Sequence, residues 1–591
     1  MCGICGFKLI DNIQEKNVLA NLIKEIKNRG PDSTNTYQEQ KIGLGMTRLA
    51  IRDIDNGNQP FENRELNLIC VFNGEIYNYE ILKKKIEKKG YKFKTKCDTE
   101  LINPGFYFFG YNFFQMLNGM FAIAIYDIKE KKLILVRDRF GIKPLYIAKL
   151  KDNYYFSSSA KSIFNLSFFK KVINYNSLHS VLKNRYSKNN HIFNNIDEVK
   201  PGNILVIDKF NNVEEKYFID GNEEDDDSEK KLNIENKLVN FFDNKLKDYE
   251  QADVPISIML SSGIDSRILL EKLNKNISPY TIRFKNSKYD ESKKVERICK
   301  NKNIKLNICD FNFEAMEENY NETINSFDKP ICDSVIFPTF FLTKQISLKY
   351  KVTFSGEGAD EIFGGYYYFN IAKKINLANK FRSNFVIRNI VKNTNYKILN
   401  YLFGYQGSIG KFGKERFLNF FNKDTKDINN FYNLISVFDD YEISKMLGKN
   451  IIENNLFKNL NIKNLMEDNI DNWLVKYNLS KIDQMSMYNG LEVRVPYMDN
   501  TFYNILNDIK KNSLFYLYNN KRVLKNYFNK YIQNIPTKKT AFQNYYTDSQ
   551  IKNYTNLIEN KINKNSYIFQ FIEYQKYYEI LNDFKKRPEL L

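Results

Sequence analysis

The stretch PISIMLSSGIDSRILLEKL, residues 255–273, decides the architecture of the second half of the chain. Its apolar run Pro255–Leu260 predicts a buried strand, Ser261–Asp265 a tight loop, and Ser266–Leu273 the start of a helix. Backbone N–H groups in such a loop point inward and, with the N-terminus of the helix, form a site for an anion. The sequence therefore predicts a phosphate-type ligand at the end of this strand.

The side chains of this loop suit a phosphate that carries a metal ion. Ser261, Ser262 and Ser266 add hydroxyl donors. Asp265 would repel a phosphate unless a cation lay between them, which predicts Mg²⁺, a cation that prefers oxygen ligands. The loop is not a Walker A motif, since no GxxxxGK[ST] occurs in the chain. By itself the pattern is also compatible with an ordinary helix N-cap.

Further apolar runs predict strands at Tyr280–Phe284, Leu306–Phe311 and Lys351–Phe354, with helical segments between them. Strands that alternate with helices predict an α/β domain with a doubly wound parallel sheet. A second loop of small residues and carboxylates, FSGEGADEIFGGY at 354–366, follows the last of these strands. From about residue 370 onward the pattern is mostly helical, so helices are added to the sheet.

The length of 591 residues predicts more than one domain, because single hydrophobic cores stop growing at roughly 250–300 residues. The acidic stretch GNEEDDDSEK at 221–230 predicts an exposed linker. We therefore divide the chain into a first domain at 1–210, a linker at 211–232 and a second domain at 233–591.

The first 160 residues alternate short apolar runs with turn signals, which predicts an α+β domain. Strands are predicted at Leu68–Phe72, Phe121–Tyr126 and Lys132–Val136, and helices near 15–28 and 79–89.

Composition excludes several classes of protein. The net charge is +19, but the basic residues are spread along the chain, which argues against a nucleic-acid partner and at most helps to attract anionic ATP. The sequence contains neither an apolar run of 18 residues nor a basic, apolar leader, which argues against a membrane partner. Seven irregularly spaced cysteines predict free thiols and a cytoplasmic location.

The chain begins MCGICGF, and this start predicts thiol chemistry. Removal of Met1 would leave Cys2 with a thiol and a free α-amine, whose pKa of about 8 lets it accept a proton near neutral pH. The two histidines, His179 and His191, lie near no motif, so a nucleophilic thiol needs this amine as its base. On these residues alone Cys2 could also be merely a small residue near a terminus. Cys5 completes one CxxC pair, but the second pair that a zinc site needs does not occur.

Eight segments decide between these alternatives, because together they resemble the N-terminal amidohydrolase domain of glutamine amidotransferases. They are MCGICGF at 1–7, NRGPDS at 28–33, MTRLAIRD at 46–53, GNQP at 57–60, VFNGEIYNY at 71–79, CDTE at 97–100, LNGMFAIAIYD at 117–127 and VRDRFGIKPLY at 136–146. The resemblance implies an αββα sandwich of the N-terminal-nucleophile (Ntn) hydrolase class.

The same resemblance implies a role for each matching residue. Cys2 would attack the side-chain amide of glutamine, and Asn73 and Gly74 would stabilise the oxyanion. Arg48 would hold the α-carboxylate of glutamine, and Asp98 and Glu75 its α-ammonium. Without Cys2, Asn73-Gly74 would be interpreted as an ordinary turn dipeptide.

In the second half, the loop at 261–266 is similar to the SGGxDS loop of ATP pyrophosphatases, with Ser262 in place of the first glycine. FSGEGADEIFGGY resembles the second nucleotide loop of asparagine synthetases, and YDES at 289–292, LSKIDQMSMYNGLEVRVPYMD at 479–499 and KKTAF at 538–542 are also similar. The resemblance implies Mg²⁺ at Asp265 and Asp360, and catalytic roles for Glu357 and Lys539. The implied ATP-binding residues are Leu260, Ser261, Ser262, Gly263, Ile264, Asp265, Ser266, Ile282, Ser355 and Gly356.

The chain thus resembles the glutamine-hydrolysing asparagine synthetases over nearly its whole length. The expected reaction uses glutamine, aspartate and MgATP, and ammonia from Cys2 attacks a β-aspartyl-AMP through a tunnel between the domains. A homodimer is an open expectation. One departure is Ser159, which replaces a glutamate that lies toward the domain interface in the family.

Two alternatives remain at this stage. SSG in place of SGG, together with Arg267, leaves open a member of the same family that acts on a sugar, a peptide or a specialised acid. A catalytically dead or nucleic-acid-binding scaffold is suggested only by the positive charge.

Overall fold

The structure is a computed structural model, and it describes most of the first 532 residues. The described ranges are 2–10, 17–39, 41–188, 191–218, 234–273, 276–285, 287, 290–329, 333, 335–380, 389, 392–395, 410–436, 438–448, 451, 458–511 and 520–532. The predicted acidic stretch at 221–230 and the predicted catalytic Lys539 lie outside these residues.

Two six-stranded sheets with antiparallel neighbours form the N-terminal half, in the orders β10-β8-β9-β1-β3-β2 and β12-β11-β7-β6-β5-β4. The strands are β1 Cys2–Lys8, β2 Ser33–Glu39, β3 Ile42–Arg48, β4 Phe61–Asn63, β5 Leu68–Ile76, β6 Gly119–Asp127, β7 Lys132–Arg137, β8 Tyr146–Leu150, β9 Asn153–Ser157, β10 Asp197–Glu198, β11 Asn203–Ile207 and β12 Val213–Tyr217. The three strands predicted in this half are confirmed within β5, β6 and β7. The edge strands β2 and β12 are polar and mostly exposed, which discourages pairing with other chains.

Alternation of side chains along the strands places each sheet between two apolar layers. Cys2 and Ile4 of β1 belong to the same buried cluster as Ile69 and Val71 of β5, so this cluster lies between the two sheets. On the opposite face of β1, Phe7 packs with helices of the N-terminal half. The outer face of the second sheet is covered in the same way by a third cluster that includes α2–α4.

A five-stranded parallel sheet forms the centre of the C-terminal half, in the order β15-β14-β13-β16-β17. Its strands are β13 Ile256–Met259, β14 Ser278–Arg283, β15 Asn307–Asp310, β16 Val352–Phe354 and β17 Glu492–Arg494. The predicted parallel sheet is therefore confirmed, and it also contains β17, which was not predicted. The chain runs from β13 to one side and then returns to the other side at β16. Ligands of open α/β sheets bind at such a reversal, outside the carboxyl ends of the strands.

Helices flank all three sheets, and the mostly helical character from about residue 370 is confirmed for the residues that the structure describes. They are α1 Val18–Lys24, α2 Tyr79–Glu87, α3 Ile102–Phe109, α4 Asn112–Met116, α5 Ala160–Phe164, α6 Tyr175–Asn184, α7 Ile234–Asn240, α8 Ile264–Lys272, α9 Ser292–Asn301, α10 Phe313–Asn325, α11 Ile336–Ser347, α12 Ala359–Phe363, α13 Tyr367–Lys380, α14 Gly410–Phe421, α15 Ile428–Ile435, α16 Asp440–Leu447, α17 Ile462–Asp468, α18 Ser480–Tyr488, α19 Asn500–Lys511 and α20 Arg522–Tyr531. A π-helical segment, Asn469–Leu479, joins α17 to α18.

The two halves share an apolar core at their boundary. Leu49, Tyr77 and Phe140 of the N-terminal half lie in one buried cluster with Phe241 and Phe502 of the C-terminal half. Within the described ranges, no helix combines the length and the apolar character that crossing a bilayer requires. The N-terminal sheet continues through β12 to Tyr217, beyond the boundary predicted at residue 210. The division into domains itself stays a prediction.

Candidate active site

Cys2 lies at the beginning of β1, directly opposite Arg48 in β3. The residue is 5% exposed, its backbone N–H donates to Asn73 Oδ1 at 3.2 Å, and its Sγ lies 3.8 Å from Nε2 of Gln59. Burial raises the pKa of the Cys2 thiol, although the positive N-terminus and a backbone hydrogen bond to Leu49 oppose the shift. The thiol is therefore protonated near neutral pH, and it needs a base before it can act as a nucleophile.

Asn73 and Gly74 lie inside the nine-residue strand β5, so the alternative of an ordinary turn dipeptide is wrong. The Oδ1 atom of Asn73 accepts the hydrogen bond from Cys2. Its Nδ2 is buried, and no acceptor among the described residues pairs with it. A buried donor without a partner calls for an explanation, and an oxyanion that forms beside Cys2 would supply one. A Cβ at Gly74 would lie 2.0 Å from the carbonyl oxygen of Met120, so only glycine fits there.

The guanidinium of Arg48, predicted to bind the α-carboxylate of glutamine, is fixed by the loop that follows β3. Its Nη1 donates to the carbonyl oxygen of Ile54 at 2.7 Å, and its Nη2 donates to that of Asp53 at 2.7 Å. Asp98 accepts a hydrogen bond from the backbone N–H of Ile76 at 3.0 Å. Arg48 is therefore fixed against the loop after β3, and Asp98 against Ile76 of β5.

Glu75 is held by arginines on two sides. Arg52 Nη1 lies 2.9 Å from Oε1, and Arg494 Nη2, from the C-terminal half, lies 3.5 Å from Oε2. Burial and the nearby Asp98 raise the pKa of Glu75, and the two arginines oppose this shift. Glu75 thus contacts residues from both halves of the chain.

Gln59 is a member of this site that the sequence analysis did not single out. Its Nε2 approaches Cys2 Sγ and lies 3.0 Å from Thr99 Oγ1, while its Oε1 accepts from the backbone N–H of Phe72 at 2.7 Å. The GNQP segment was the available signal, since Gln59 is part of it.

The predicted phosphate loop connects β13 to α8, and the helix begins at Ile264, two residues before the predicted start. Ser266 Oγ accepts from the backbone N–H of Ser261 at 3.1 Å, which closes the loop. Ser262 directs its backbone N–H at a carboxylate oxygen of Glu291, 3.3 Å away. Its Oγ is buried, and the described part of the chain supplies no partner for it. The loop thus already binds one carboxylate, and the hydroxyl of Ser262 could bind a further anionic group.

The second loop, after β16, meets the first one because β13 and β16 are neighbours in the sheet. A Cβ at Gly356 would lie 3.1 Å from both the Cβ of Asp265 and the backbone N of Ser266. Ser355 donates its backbone N–H to the carbonyl oxygen of Arg494 at 3.0 Å. The predicted adenine-site residues Leu260 and Ile282 are 3% and 7% exposed, at the ends of β13 and β14.

Lys521 joins the two loops, and the sequence analysis missed it. Its Nζ lies 2.5 Å from Asp265 Oδ2 and 2.6 Å from Asp360 Oδ1. Its backbone N–H donates to the carbonyl oxygen of Phe363 at 3.1 Å, which ties the beginning of α20 to the end of α12. The two carboxylates predicted to hold Mg²⁺ are therefore brought together around one ammonium group. Nothing in the local sequence marks this lysine among the 89 basic residues of the chain.

Neighbouring acids on α12 have different surroundings. Asp360 meets Lys521, whereas Glu361 is 1% exposed and accepts hydrogen bonds from Tyr366 Oη and Asn478 Nδ2, both at 2.5 Å. Burial, together with Asp360 and Glu357, raises the pKa of Glu361 to about 7. Glu357 itself is partly buried, and its backbone N–H donates to Ser355 Oγ at 3.3 Å.

Buried ion pairs join the N-terminal half of the chain to the C-terminal half. Asp483 on α18 lies 2.9 Å from Nη1 of Arg29 and 3.0 Å from Nζ of Lys143, both in the N-terminal half. Ser159, which the resemblance places at a glutamate position, donates its hydroxyl to Asp328 Oδ1 of the C-terminal half at 2.7 Å.

Comparison with known proteins covers both halves. The glutamine amidotransferase domain family matches residues 1–218, and the asparagine synthase family matches residues 241–588, which is more than half of the chain. The chain belongs to the asparagine synthase family. This membership leaves the alternative of a nucleic-acid-binding scaffold without support.

Similar members of the asparagine synthase family come from bacteria and plants. The chain is 27% identical over 544 residues to asparagine synthetase [glutamine-hydrolyzing] 1 of Bacillus subtilis, covering 86% of this chain and 81% of that protein. It is 28% identical to enzyme 3 of the same organism, with 63% and 64% covered, and 29% identical to asparagine synthetase 3 of Arabidopsis thaliana, with 63% and 62% covered. A solved glutamine phosphoribosylpyrophosphate amidotransferase of B. subtilis shares 18% identity over 47% of this chain and 65% of that chain, with a TM-score of 0.29.

Proposed function

We propose that the chain is a glutamine-dependent asparagine synthetase. Glutamine hydrolysis at Cys2 supplies ammonia, which attacks a β-aspartyl-AMP made from aspartate and MgATP, and the products are asparagine, AMP, pyrophosphate and glutamate. The single observation that carries the proposal is the meeting of Asp265, Asp360 and Lys521 beside the anion loop. The other half of the chain has the Cys2 thiol near Asn73 Nδ2, for which the described residues supply no acceptor.

The glutaminase step needs a base for the buried Cys2 thiol. Removal of Met1 would provide it, because the freed α-amine of Cys2 belongs to the same residue and accepts the thiol proton near neutral pH. The hydrogen bond from this nitrogen to Asn73 Oδ1 fixes its position. Attack on the glutamine amide places negative charge on the carbonyl oxygen, which Asn73 Nδ2 and the Gly74 N–H would stabilise by several kcal/mol.

Binding of glutamine is assigned to Arg48 and Asp98, with a smaller share for Glu75. Arg48 would place its guanidinium beside the α-carboxylate, since backbone carbonyls fix its plane. Asp98 would hold the α-ammonium. Glu75 contributes less there, because two arginines already share its carboxylate.

ATP would bind across the loops after β13 and β16. Ser261, Ser262, Gly263 and Ser266 face the phosphates, and Ser355 and Gly356 face the AMP portion. The donors present fit Mg²⁺, because two carboxylates plus phosphate oxygens and water are its usual ligands. Fewer than three acidic, histidine or cysteine side chains converge there in the described residues, so the phosphates are needed to complete the site. Bound Mg²⁺ would neutralise charge on the phosphates.

The residues of the chain itself then serve the acyl transfer. Lys521 would move its ammonium from the carboxylates to the α-phosphate as charge develops there. Lys539 stays a prediction for the same task. Glu357 would orient ammonia, or remove its proton, as the new C–N bond forms.

Several further expectations are proposed with this function. The αββα sandwich of the Ntn class is supported by the apolar clusters between and outside the two N-terminal sheets. A homodimer and a cytoplasmic location stay predictions, and light scattering of the purified protein tests the first.

The experiment is a screen of acceptor acids. The purified protein is given glutamine and MgATP with aspartate, other amino acids, sugar acids or peptides, and AMP release is measured. AMP release that depends on aspartate is expected. AMP release with another acid, and none with aspartate, would replace this proposal with the alternative of a different acceptor.

A further inference from the structure

A buried lysine near α12 has no acidic partner among the residues that the structure describes. Lys481, on α18, is 7% exposed and donates from Nζ to Asn478 Oδ1 at 3.2 Å. Its ammonium also lies over the ring of Tyr477, 4.5 Å from the centroid. Across the described ranges no carboxylate lies within ion-pair distance of it. A buried ammonium group is costly without a counter-ion, so a ligand anion would explain its placement.

The same amide that contacts Lys481 also contacts a buried carboxylate. Asn478 Nδ2 donates to Glu361 Oε1 at 2.5 Å, while Asn478 Oδ1 accepts from Lys481. One amide group therefore lies between a buried carboxyl group and a buried ammonium group. Tyr366, which also donates to Glu361, and Trp473, which donates to Tyr366 Oη at 2.9 Å, are partly exposed and form the rim of this pair.

An α-amino acid carries the complementary charges on a single carbon atom. We propose that Lys481 binds the α-carboxylate of the acceptor amino acid and that Glu361 binds its α-ammonium, so that the two residues select α-amino acids. This inference rests on the proposed function and names the part of the site that recognises its acceptor.

The position of Glu361 in the sequence supports this orientation. Its neighbour Asp360 lies on the side of Lys521 and the phosphate loop, where the side-chain carboxylate of the acceptor must be activated. Glu361 lies on the opposite side, toward Asn478. An acceptor whose reactive carboxylate points to Asp360 and Lys521 would thus direct its α groups to Glu361 and Lys481.

Other cations near this region already have carboxylate partners. Arg185 Nη1 lies 3.5 Å from Asp333 Oδ2, and Lys143 Nζ lies 3.0 Å from Asp483 Oδ1. Lys481, in contrast, pairs with no carboxylate of the described residues, so its ammonium group can bind a carboxylate of the substrate.

The test removes matching groups from protein and substrate. β-Alanine is aspartate without the α-carboxylate, and succinate is aspartate without the α-ammonium. AMP release is measured with each acid at saturating MgATP and ammonium chloride, so that glutamine hydrolysis is not needed. Where an analogue turns over too slowly, its inhibition constant against aspartate replaces kcat/KM.

In Lys481→Met, kcat/KM for aspartate is expected to fall ~10–150-fold, the usual range for losing a charged hydrogen bond, while the value for β-alanine stays unchanged. Lys481→Arg should keep part of the preference for aspartate. In Glu361→Gln, kcat/KM should fall for aspartate but not for succinate. The control is Lys463→Met, which replaces an exposed lysine on α17. It should change neither the ratio of kcat/KM for aspartate to that for β-alanine nor the ratio of aspartate to succinate.

Equal losses with aspartate and β-alanine in Lys481→Met would show a merely structural role and overturn the inference. So would an unchanged preference for aspartate. Urea unfolding midpoints establish that the variants are folded, and Lys481→Arg tests the same ratio if the methionine variant does not fold. If the wild type releases no AMP with aspartate, the proposed function fails first, and the two failures are thereby distinguished.

Discussion

Lys521 and a divalent metal should compete for Asp265 and Asp360. The ammonium lies 2.5 and 2.6 Å from these carboxylates, and its side chain is 7% exposed. A hydrogen bond to a charged group contributes about 1.5–3 kcal/mol. If the metal must displace one such interaction, the variant Lys521→Met should bind free metal ~10–150-fold more tightly than the wild type.

The assay is titration of nucleotide-free protein with Mn²⁺, whose unbound fraction is measured by electron paramagnetic resonance. Lys525→Met is the matched control, because it removes the same charge from α20 and contacts neither carboxylate directly. It corrects for the general change in electrostatic potential. Equal affinities in Lys521→Met and the wild type, or equal gains in both variants, would refute the competition and with it the metal site at Asp265 and Asp360.

Three more predictions concern the two active sites and their boundary. Cys2→Ala should abolish the use of glutamine but keep synthesis from ammonium, and loss of both activities in a folded variant would contradict the division of labour. Arg494→Met should lower the free energy of unfolding by about 3–5 kcal/mol, because it leaves buried Glu492 without its arginine and Glu75 with Arg52 alone, and urea unfolding measures this. Asp483→Asn should lower the free energy of unfolding by a similar amount at neutral pH. Burial raises the pKa of Asp483, but Arg29 and Lys143 outweigh this effect and hold the pKa below its ordinary value. The carboxylate therefore stabilises the fold above about pH 4, and the difference between variant and wild type should shrink as the pH falls below that.

The pairing of the two nucleotide loops could be predicted, but its details could not. Parallel strands end at the same edge of a sheet, so loops after two such strands are expected to lie near each other. Asp265 and Asp360 were assigned to one metal from the resemblance of both loops to those of asparagine synthetases, and the structure brings both to Lys521. The lysine was missed because its position depends on where α20 packs, and a single charged residue before a helix has no periodicity to reveal it.

Local sequence patterns gave the least accurate predictions where long-range packing decides the geometry. Asn73-Gly74 has the composition of a turn, yet pairing with β6 makes it part of a strand. The family resemblance assigned Glu75 to glutamine, but its contact with Arg494, 419 positions along the chain, was not predicted. Such contacts depend on the packing of one half against the other, which no local motif encodes.

The strand β17 links the two active sites by direct contacts. The carbonyl oxygen of Arg494 accepts from Ser355 in the nucleotide loop, and its guanidinium meets Glu75, the residue next to Gly74 of the proposed oxyanion site. Glu492 fixes that guanidinium from the same strand, at 2.6 Å. A displacement of the nucleotide loop must therefore either move β17 or break the hydrogen bond to Ser355. Because all three charged groups are buried, separating them is costly, so movement of β17 as a unit is the cheaper response. Under the proposed function, ATP binding that displaces the loop after β16 would therefore also move Glu75, which is adjacent to Gly74 of the proposed oxyanion site.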